Sequence, residues 1–317
     1  MRKTLLIAGL FASAACVPQA IAQRPTPEGA AAEARSGAGR VRLCTGLESG
    51  NYHAAGAQIR EQAKDRVEVV LHSTQGSLDN LDRLSRGECD AAVVQSDALF
   101  VYGRRRPGAA SKLEQAQPLY SEYIHFICNP AFGLDKITGL TKQMRVAVGS
   151  PGGGTAITWE SFVLADKARY EPVPTDPYTG PRAISRVVAQ TPEGTNSRTA
   201  CMMYVTGLNA PSMQEVDDFA KQNPGKLVFV NAADSDLPKV KDDHGQPLYE
   251  VADIPGGTYP HLQPRGLFGG SKEVRTLTVR ATLVVNRDAI ERDDQAHQEF
   301  LRAVARATPS IRQRVGQ

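Results

Sequence analysis

The chain has 317 residues, 41% of them hydrophobic, and a formal net charge of +3 at pH 7. Residues 1–22 carry two of the positive charges and no acidic residue, so the remaining chain has a formal net charge of +1. A nearly neutral chain of this length is long enough for two domains with separate cores, and it lacks the basic excess of a dedicated nucleic-acid-binding protein.

The first 22 residues have the pattern of a secretory signal peptide. A short cationic start is followed by an apolar run at residues 5–15 and a small-x-small cleavage site at residues 20–22. The apolar run is shorter than the roughly 20 residues that a membrane-spanning helix needs. We therefore expect export to the periplasm with cleavage after Ala22, in preference to lipoprotein anchoring at Cys16.

Residues 23–40 are rich in proline, glycine, alanine and charge and have no periodic apolar pattern, which predicts a flexible leader. Beyond it the chain contains four cysteines. An even number in an oxidising compartment permits two disulfides in three possible pairings, and buried free thiols fit the apolar surroundings equally well. Their spacing matches no zinc signature, so no metal site is predicted. The cysteines are Cys44, Cys89, Cys128 and Cys201.

Residues 41–98 alternate between two apolar periods. Short apolar runs predict strands at 41–45, 67–72 and 91–94. Between them, longer stretches predict helices at 52–64 and around Leu78, where leucines recur at about one turn. Alternation of this kind indicates parallel strands joined by helical crossovers.

The same alternation begins again after residue 119 and forms a second block. The last predicted helix, at 293–308, is expected to pack against the first block, which comprises residues 41–98. A glycine turn at 150–155 opens one of the helices of this second block. The sequence therefore predicts an α/β protein built from two similar blocks. The predicted strands are 120–128, 145–148, 200–205, 227–230 and 276–285, and the predicted helices follow 155 and cover 181–190, 211–221 and 293–308.

Four strand-to-helix junctions carry hydroxyl and glycine residues, at 45–52, 73–77, 95–97 and 150–155. In open parallel sheets such junctions lie at the carboxyl ends of strands, where ligands bind. The unpaired N–H groups of a helix start attract an anion, and glycine lets a carboxylate approach the backbone closely. Four junctions of this kind predict one anion-binding crevice, although each alone is also the composition of an ordinary turn.

Known catalytic and nucleotide-binding patterns do not occur in the sequence. The triple glycine at 152–154 is not followed by the lysine of a phosphate-binding loop, and residues 46–51 do not form a dinucleotide fingerprint. Nucleophile-elbow, zinc-protease and dithiol motifs are missing as well. His53, His72 and His125 are interpreted as packed or solvated side chains. We expect neither a cofactor nor enzymatic activity.

Six motifs in the same order resemble the TAXI-type solute-binding subunits of TRAP (tripartite ATP-independent periplasmic) transporters. The resemblance extends from residue 41 to residue 290. The motifs are TGLESGNYHAAG at 45–56, GSLDNL at 76–81, GECDAAVVQSDA at 87–98, VGSPGGGT at 148–155, GLNAP at 207–211 and IPGGTYP at 254–260.

The resemblance implies a two-lobed type II periplasmic-binding-protein fold, with mixed, mostly parallel sheets and two hinge strands near 120–129 and 276–286. One lobe would comprise 41–124 and 280–317, and the other 125–279. It also implies a protein that passes a small carboxylate, such as glutamate or 2-oxoglutarate, or an amino acid to membrane permease subunits. A binding module that feeds a sensor kinase is the alternative.

By motif position the resemblance implies a set of ligand-binding residues, while Glu48 departs from the family pattern. If Glu48 faced the crevice it would repel an anion or select a cationic or zwitterionic ligand. The implied ligand-binding residues are Ser49, Asn51, Tyr52, Gln75, Gln95, Ser96, Gly153, Thr155 and Tyr259.

Overall fold

The computed structural model describes residues 39–193, 196–242, 245–266 and 269–317. Ten strands in these ranges form one sheet. The strands are β1 (Arg40–Cys44), β2 (Glu68–His72), β3 (Ala91–Gln95), β4 (Leu113–Cys128), β5 (Met144–Ala147), β6 (Thr175–Asp176), β7 (Arg198–Thr206), β8 (Val228–Phe229), β9 (Tyr249–Ile254) and β10 (Val274–Asn286).

Helices connect most of these strands, as the alternation of apolar periods predicts. Short 3₁₀ turns lie at Pro130–Phe132, Ile137–Gly139 and Leu237–Lys239. The α-helices are α1 (Asn51–Ala63), α2 (Ser77–Ser85), α3 (Ser96–Arg105), α4 (Pro107–Ala110), α5 (Gly154–Ala165), α6 (Lys167–Tyr170), α7 (Gly180–Val188), α8 (Pro211–Gln222), α9 (Arg287–Arg292) and α10 (Asp294–Arg314).

The sheet has two parallel groups separated by an antiparallel centre. The order is β2-β1-β3-β10-β4-β7-β5-β6, with β8 beside β4 and β9 beside β10. Pairing is parallel within β2-β1-β3 and within β7-β5-β6, whereas β4 and β10 pair antiparallel with all their neighbours. We call the group around β2-β1-β3 the first lobe and the group around β7-β5-β6 the second lobe.

Strands β4 and β10 run from one lobe into the other. Residues 113–123 of β4 pair with β10, and residues 123–128 pair with β7 of the second lobe. In the opposite direction, residues 274–279 of β10 pair with β9, and residues 281–285 pair with β3 of the first lobe. The predicted fold class, a two-lobed α/β protein with two connecting strands, is confirmed.

Each lobe has a hydrophobic core on both faces of its part of the sheet. In β7, Cys201 and Met203 pack into one core while Met202 and Tyr204 pack into the other, because neighbouring side chains of a strand point to opposite faces. In the first lobe α10 returns to pack with β1, and Phe300 is fully buried there. Cores on both faces hold the strand ends, and therefore the loops that follow them, in fixed positions.

The four cysteines form two disulfides, Cys44–Cys89 in the first lobe and Cys128–Cys201 in the second. Cys128 and Cys201 are register partners on the adjacent strands β4 and β7. Cys44 ends β1, and Cys89 lies just before β3, which pairs with β1. The sequence left the pairing open, and strand adjacency decides it.

The signal peptide at 1–22 and most of the leader at 23–40 lie outside the described residues, whereas β1 already begins at Arg40. The short strand β6 and the strand β9 were not predicted. Within the part of the chain that the structure describes, no helix combines the length and apolar character needed to cross a bilayer.

Candidate ligand-binding cleft

A cavity of about 290 Å³ lies between the two lobes, where strand ends of both meet. The first lobe contributes Asn51, Tyr52, Gln75 and Gln95 to its wall. The second lobe contributes Thr155, at the start of α5, and Thr206, at the end of β7. The carboxyl ends of the parallel strands therefore converge on one crevice, as the sequence pattern predicts.

Three helices begin at this cavity, and none of them has a side-chain cap at its start. The residue before each of α1, α2 and α5 is a glycine, and none of the three forms a side-chain cap hydrogen bond. First-turn N–H groups have no partner within a helix, and the helix dipole makes this end positive. Gly76 has a φ of 119°, which residues other than glycine rarely adopt. The glycines therefore leave backbone donors open toward the crevice.

Gln95 places an unpartnered amide in the cleft wall. The residue is only 1% exposed, and neither Oε1 nor Nε2 has a hydrogen-bond partner in the structure. Its backbone N–H donates to Ser77 Oγ at 3.2 Å, which fixes the end of β3 against the start of α2. Burying an amide without partners is unfavourable by about 1–3 kcal/mol. A ligand that pairs with this amide would remove that cost.

Glu122 lies in the central strand β4 and lines the same cavity. It is 5% exposed, and its Oε2 accepts a hydrogen bond from the hydroxyl of Tyr52 at 2.9 Å. Burial raises the pKa of Glu122 to about 8, and the negative charge of Asp97 adds to the shift while the Tyr52 bond opposes it. The cleft therefore contains a carboxyl group that is mostly neutral at pH 7.

Asp97, near the start of α3, joins the two lobes behind the cleft. Its Oδ2 accepts hydrogen bonds from Thr158 of α5 at 2.7 Å and from Tyr249 of β9 at 2.8 Å. Burial raises the pKa of Asp97 to about 6. At the cleft itself, Asn51 Nδ2 donates to Thr206 Oγ1 at 3.3 Å. These bonds cross from one lobe to the other, so they would have to break if the lobes separated.

Five of the nine predicted ligand-binding residues line the cavity: Asn51, Tyr52, Gln75, Gln95 and Thr155. The other four do not. Ser49 is exposed on the turn before α1, and Gly153 precedes the cavity-lining Gly154. Ser96 is buried at the start of α3 and lines a separate small cavity.

Tyr259 lies in the core of the second lobe, away from the cleft. It is fully buried, and its hydroxyl donates to the carbonyl of Leu208 and lies 3.2 Å from His125 Nε2. Burial lowers the pKa of His125 to about 4, so this histidine is neutral. Glu48 also points elsewhere, with Oε1 3.4 Å from Ser73 Oγ, and lines a groove beside α1 and α10.

The sequence reasoning missed three residues of the cleft wall, Glu122, Val205 and Thr206. Glu122 interrupts a strand whose other residues from 119 to 128 are largely apolar. A single carboxylate in a buried run was the signal available, because such a group is rarely buried without a reason. Thr206 carries no comparable signal, since a threonine at a strand end is common.

A larger cavity of about 640 Å³ lies beside α5, β5 and β6 and is lined by Trp159, Val163 and Tyr170 among others. None of the described residues that line it has a buried side-chain N or O atom without a partner. The smaller cavity does have such atoms, on Gln95. We therefore take the cavity between the lobes as the candidate site.

The groups of the cleft wall offer mainly hydrogen bonding. Its described lining includes no histidine, lysine, arginine or cysteine, and Thr155 Oγ1 is engaged as acceptor of the Val205 N–H at 3.2 Å. Among the described residues no group of three or more histidine, cysteine, aspartate or glutamate side chains could hold a metal ion. The available chemistry is hydrogen bonding from backbone, amide and hydroxyl groups, together with one carboxyl group.

Comparison with protein-family models matches residues 43–298 to the NMT1-like family. Comparison with curated proteins returns no match. Among solved structures, a putative periplasmic sulfonate-binding protein of a sulfonate ABC transporter from Methylobacillus flagellatus is 8% identical with a TM-score of 0.49, and the alignment covers 85% of this chain and 68% of that one.

Two further structures are similar at the same level. The ligand-binding component of an ABC-type import system from Staphylococcus aureus, with zinc bound, has a TM-score of 0.46 at 10% identity, covering 85% of this chain and 73% of that one. The periplasmic domain of BvgS from B. pertussis has a TM-score of 0.45 at 12% identity, covering 93% of this chain and 46% of that one. Because these TM-scores lie below 0.5, the fold assignment rests on the strand order and not on these similarities.

Proposed function

The chain belongs to the NMT1-like family, and from this premise we propose that it is an extracytoplasmic solute-binding protein that acts by binding and not by turnover. It captures a small organic acid or amino acid between its two lobes and delivers it to a TRAP-type membrane permease. The NMT1-like match names no permease, ligand or location. We propose the TRAP permease, the carboxylate ligand and the periplasmic location from the TAXI-type resemblance of the sequence motifs.

The observation that supports the proposal most is the unpartnered amide of Gln95, in a crevice where three uncapped helices begin. A carboxylate of the ligand would accept hydrogen bonds from first-turn N–H groups, which come from both lobes. Gln95 would supply a further donor and acceptor. Such a ligand forms hydrogen bonds with donors of both lobes at once. Its binding therefore favours the closed state, in which the two lobes are together.

We propose that the lobes divide within β4 and β10, with residues 41–124 and 280–317 in one lobe and 125–279 in the other. The register supports this division, because β4 changes from pairing with β10 alone to pairing with β7 at Tyr123. Among the described strands only β4 and β10 cross there, so the lobes can rotate about them while each core stays intact. Opening would break the contacts of Asn51 with Thr206 and of Asp97 with Thr158.

The test is a ligand search followed by one substitution. Native mass spectrometry of gently purified protein identifies retained solutes, and thermal-shift screening against small carboxylates and amino acids ranks them, since a ligand that binds the folded state raises the melting temperature. Gln95→Leu removes the unpartnered amide while keeping its approximate volume. We expect it to leave the free energy of unfolding equal or higher and to weaken binding at least tenfold.

Gln214→Leu is the matched control, because Gln214 is exposed on α8 and the chemical change is the same. It should change neither the free energy of unfolding nor the ligand affinity. If Gln95→Leu retained full affinity for a ligand found in the screen, the proposed site would be wrong. If neither method found any small solute, the proposed function would be wrong.

A further inference from the structure

Glu122 has no positively charged partner in the part of the chain that the structure describes. Tyr52 of α1 donates a hydrogen bond to it, and the other ionisable groups nearby are Tyr120 of β4 and Asp97 of α3. Arg280, on the adjacent strand β10, is engaged by the Pro247 carbonyl and by Asp242. The ionisable groups that the structure places near Glu122 are thus an acid and two phenols.

A glutamate in such a position is unfavourable for the folded protein. An ionised carboxylate loses its hydration on burial, and a nearby cation compensates that loss better than the single hydrogen bond from Tyr52 does. The compensating cation is therefore expected from outside the described part of the chain. The cavity provides the room, because Glu122 lines it together with Gln95 and the start of α1.

We propose that the ligand of the cleft carries an ammonium group that forms an ion pair with Glu122 while its carboxylate is held by the uncapped helix starts. The inference rests on the proposed function and narrows it. The ligand class is then small zwitterions of the α-amino-acid type, and simple carboxylic or dicarboxylic acids are excluded. Gln95 Oε1 is available as a second acceptor for the ammonium group.

An ion pair with Glu122 determines whether ligand affinity rises or falls with pH. Burial raises the pKa of Glu122 to about 8 in the ligand-free cleft, with the negative charge of Asp97 acting in the same direction. An ammonium group binds the ionised carboxylate, so binding must expel a proton at pH 7, and affinity rises between pH 6 and pH 8 while the amine stays protonated. If Glu122 instead stayed neutral and donated a hydrogen bond to a ligand carboxylate, affinity would fall over the same range.

The experiment compares acids that differ only in the amino group, namely L-glutamate with glutarate, L-aspartate with succinate and the other amino acids with their deaminated counterparts. Titration calorimetry at pH 6, 7 and 8 measures affinity and, in buffers of different ionisation enthalpy, proton release. We expect at least one amino acid to bind at least tenfold more tightly than its deaminated partner. Its affinity should rise with pH, and about one proton should be released at pH 7.

Glu122→Gln should weaken binding of that amino acid at least tenfold and abolish both the pH dependence and the proton release. Glu114→Gln is the matched control, since Glu114 is an exposed residue of the same strand, and it should behave as the wild type. Unchanged affinity of Glu122→Gln, or affinity that falls with rising pH, would overturn the ion pair. If deaminated acids bind as well as amino acids, this inference fails and the proposed function stands. If no member of either set binds, both fail.

Discussion

The contact between Gly154 and Gln95 allows the amide of Gln95 to be displaced without replacing Gln95 itself. A Cβ at Gly154 would lie 3.1 Å from Cδ of Gln95 and nearer still to Oε1, inside the 3.0 Å below which Cβ contacts are essentially absent from proteins. Gly154→Ala therefore forces the amide to move, although the backbone at this position suits alanine because its φ is not positive.

Gly154→Ala is expected to change the free energy of unfolding little and the ligand affinity strongly. Alanine in the first turn of α5 gains up to about 1 kcal/mol over glycine in helix propensity, and moving the end of a flexible side chain offsets part of that gain. The free energy of unfolding should therefore stay within about 1 kcal/mol of the wild type. A displaced Gln95 loses its hydrogen bonds to a charged ligand group, each of about 1.5–3 kcal/mol, which corresponds to roughly a tenfold to hundredfold loss of affinity.

Chemical denaturation and titration calorimetry with a ligand identified by the screen measure the two quantities. Gly103→Ala is the control, because Gly103 lies in α3 with only an ordinary contact of 4.0 Å from its Cβ position to Ala110. It should leave affinity unchanged. Unaltered affinity of Gly154→Ala, or a loss of stability of several kcal/mol without weaker binding, would refute the reasoning.

Three further predictions concern the framework of the cleft. Replacing Cys128 and Cys201 by serine should lower the free energy of unfolding by about 4 kcal/mol in denaturant titrations, because the bridge closes a loop of 73 residues. Burial raises the pKa of Asp97 from 3.8 to about 6. The neutral form is thus favoured by folding, and the stability of the wild type relative to Asp97→Asn should fall by on the order of 2–3 kcal/mol from pH 3.5 to pH 7. Tyr259→Phe loses the hydrogen bond to Leu208, so thermal unfolding should indicate a loss of about 1–2 kcal/mol with ligand affinity unchanged.

Local sequence patterns were sufficient for most of the strands and helices, whereas the two lobes and their connecting strands were implied by the family resemblance. Apolar runs of strand length, separated by helical periods and glycine turns, predicted β1, β2, β3, β4, β5, β7 and β10, because burial on both faces leaves a sequence signature that no distant contact has to supply. The same reasoning predicted anion-binding helix starts at the junctions 45–52, 73–77 and 150–155, and α1, α2 and α5 begin there.

Distant contacts decided which of these positions share the cleft. Tyr259 stands in a glycine-rich motif, but the packing of the second lobe places its ring in the core beside His125. Glu122 appeared as one polar residue in an apolar strand, and only the approach of α1 to β4 brings Tyr52 and the cavity to it.

The sequence by itself therefore determined most of the strands and helices, apart from β6 and β9, and the chemistry of the turns between them, because these depend on residues a few positions apart. The pairing of the cysteines, the isolation of Glu122 from any positive charge among the described residues and the unpartnered amide of Gln95 were decided by the tertiary structure. Each of these depends on which side chains come together from residues tens of positions apart, and no local period carries that information.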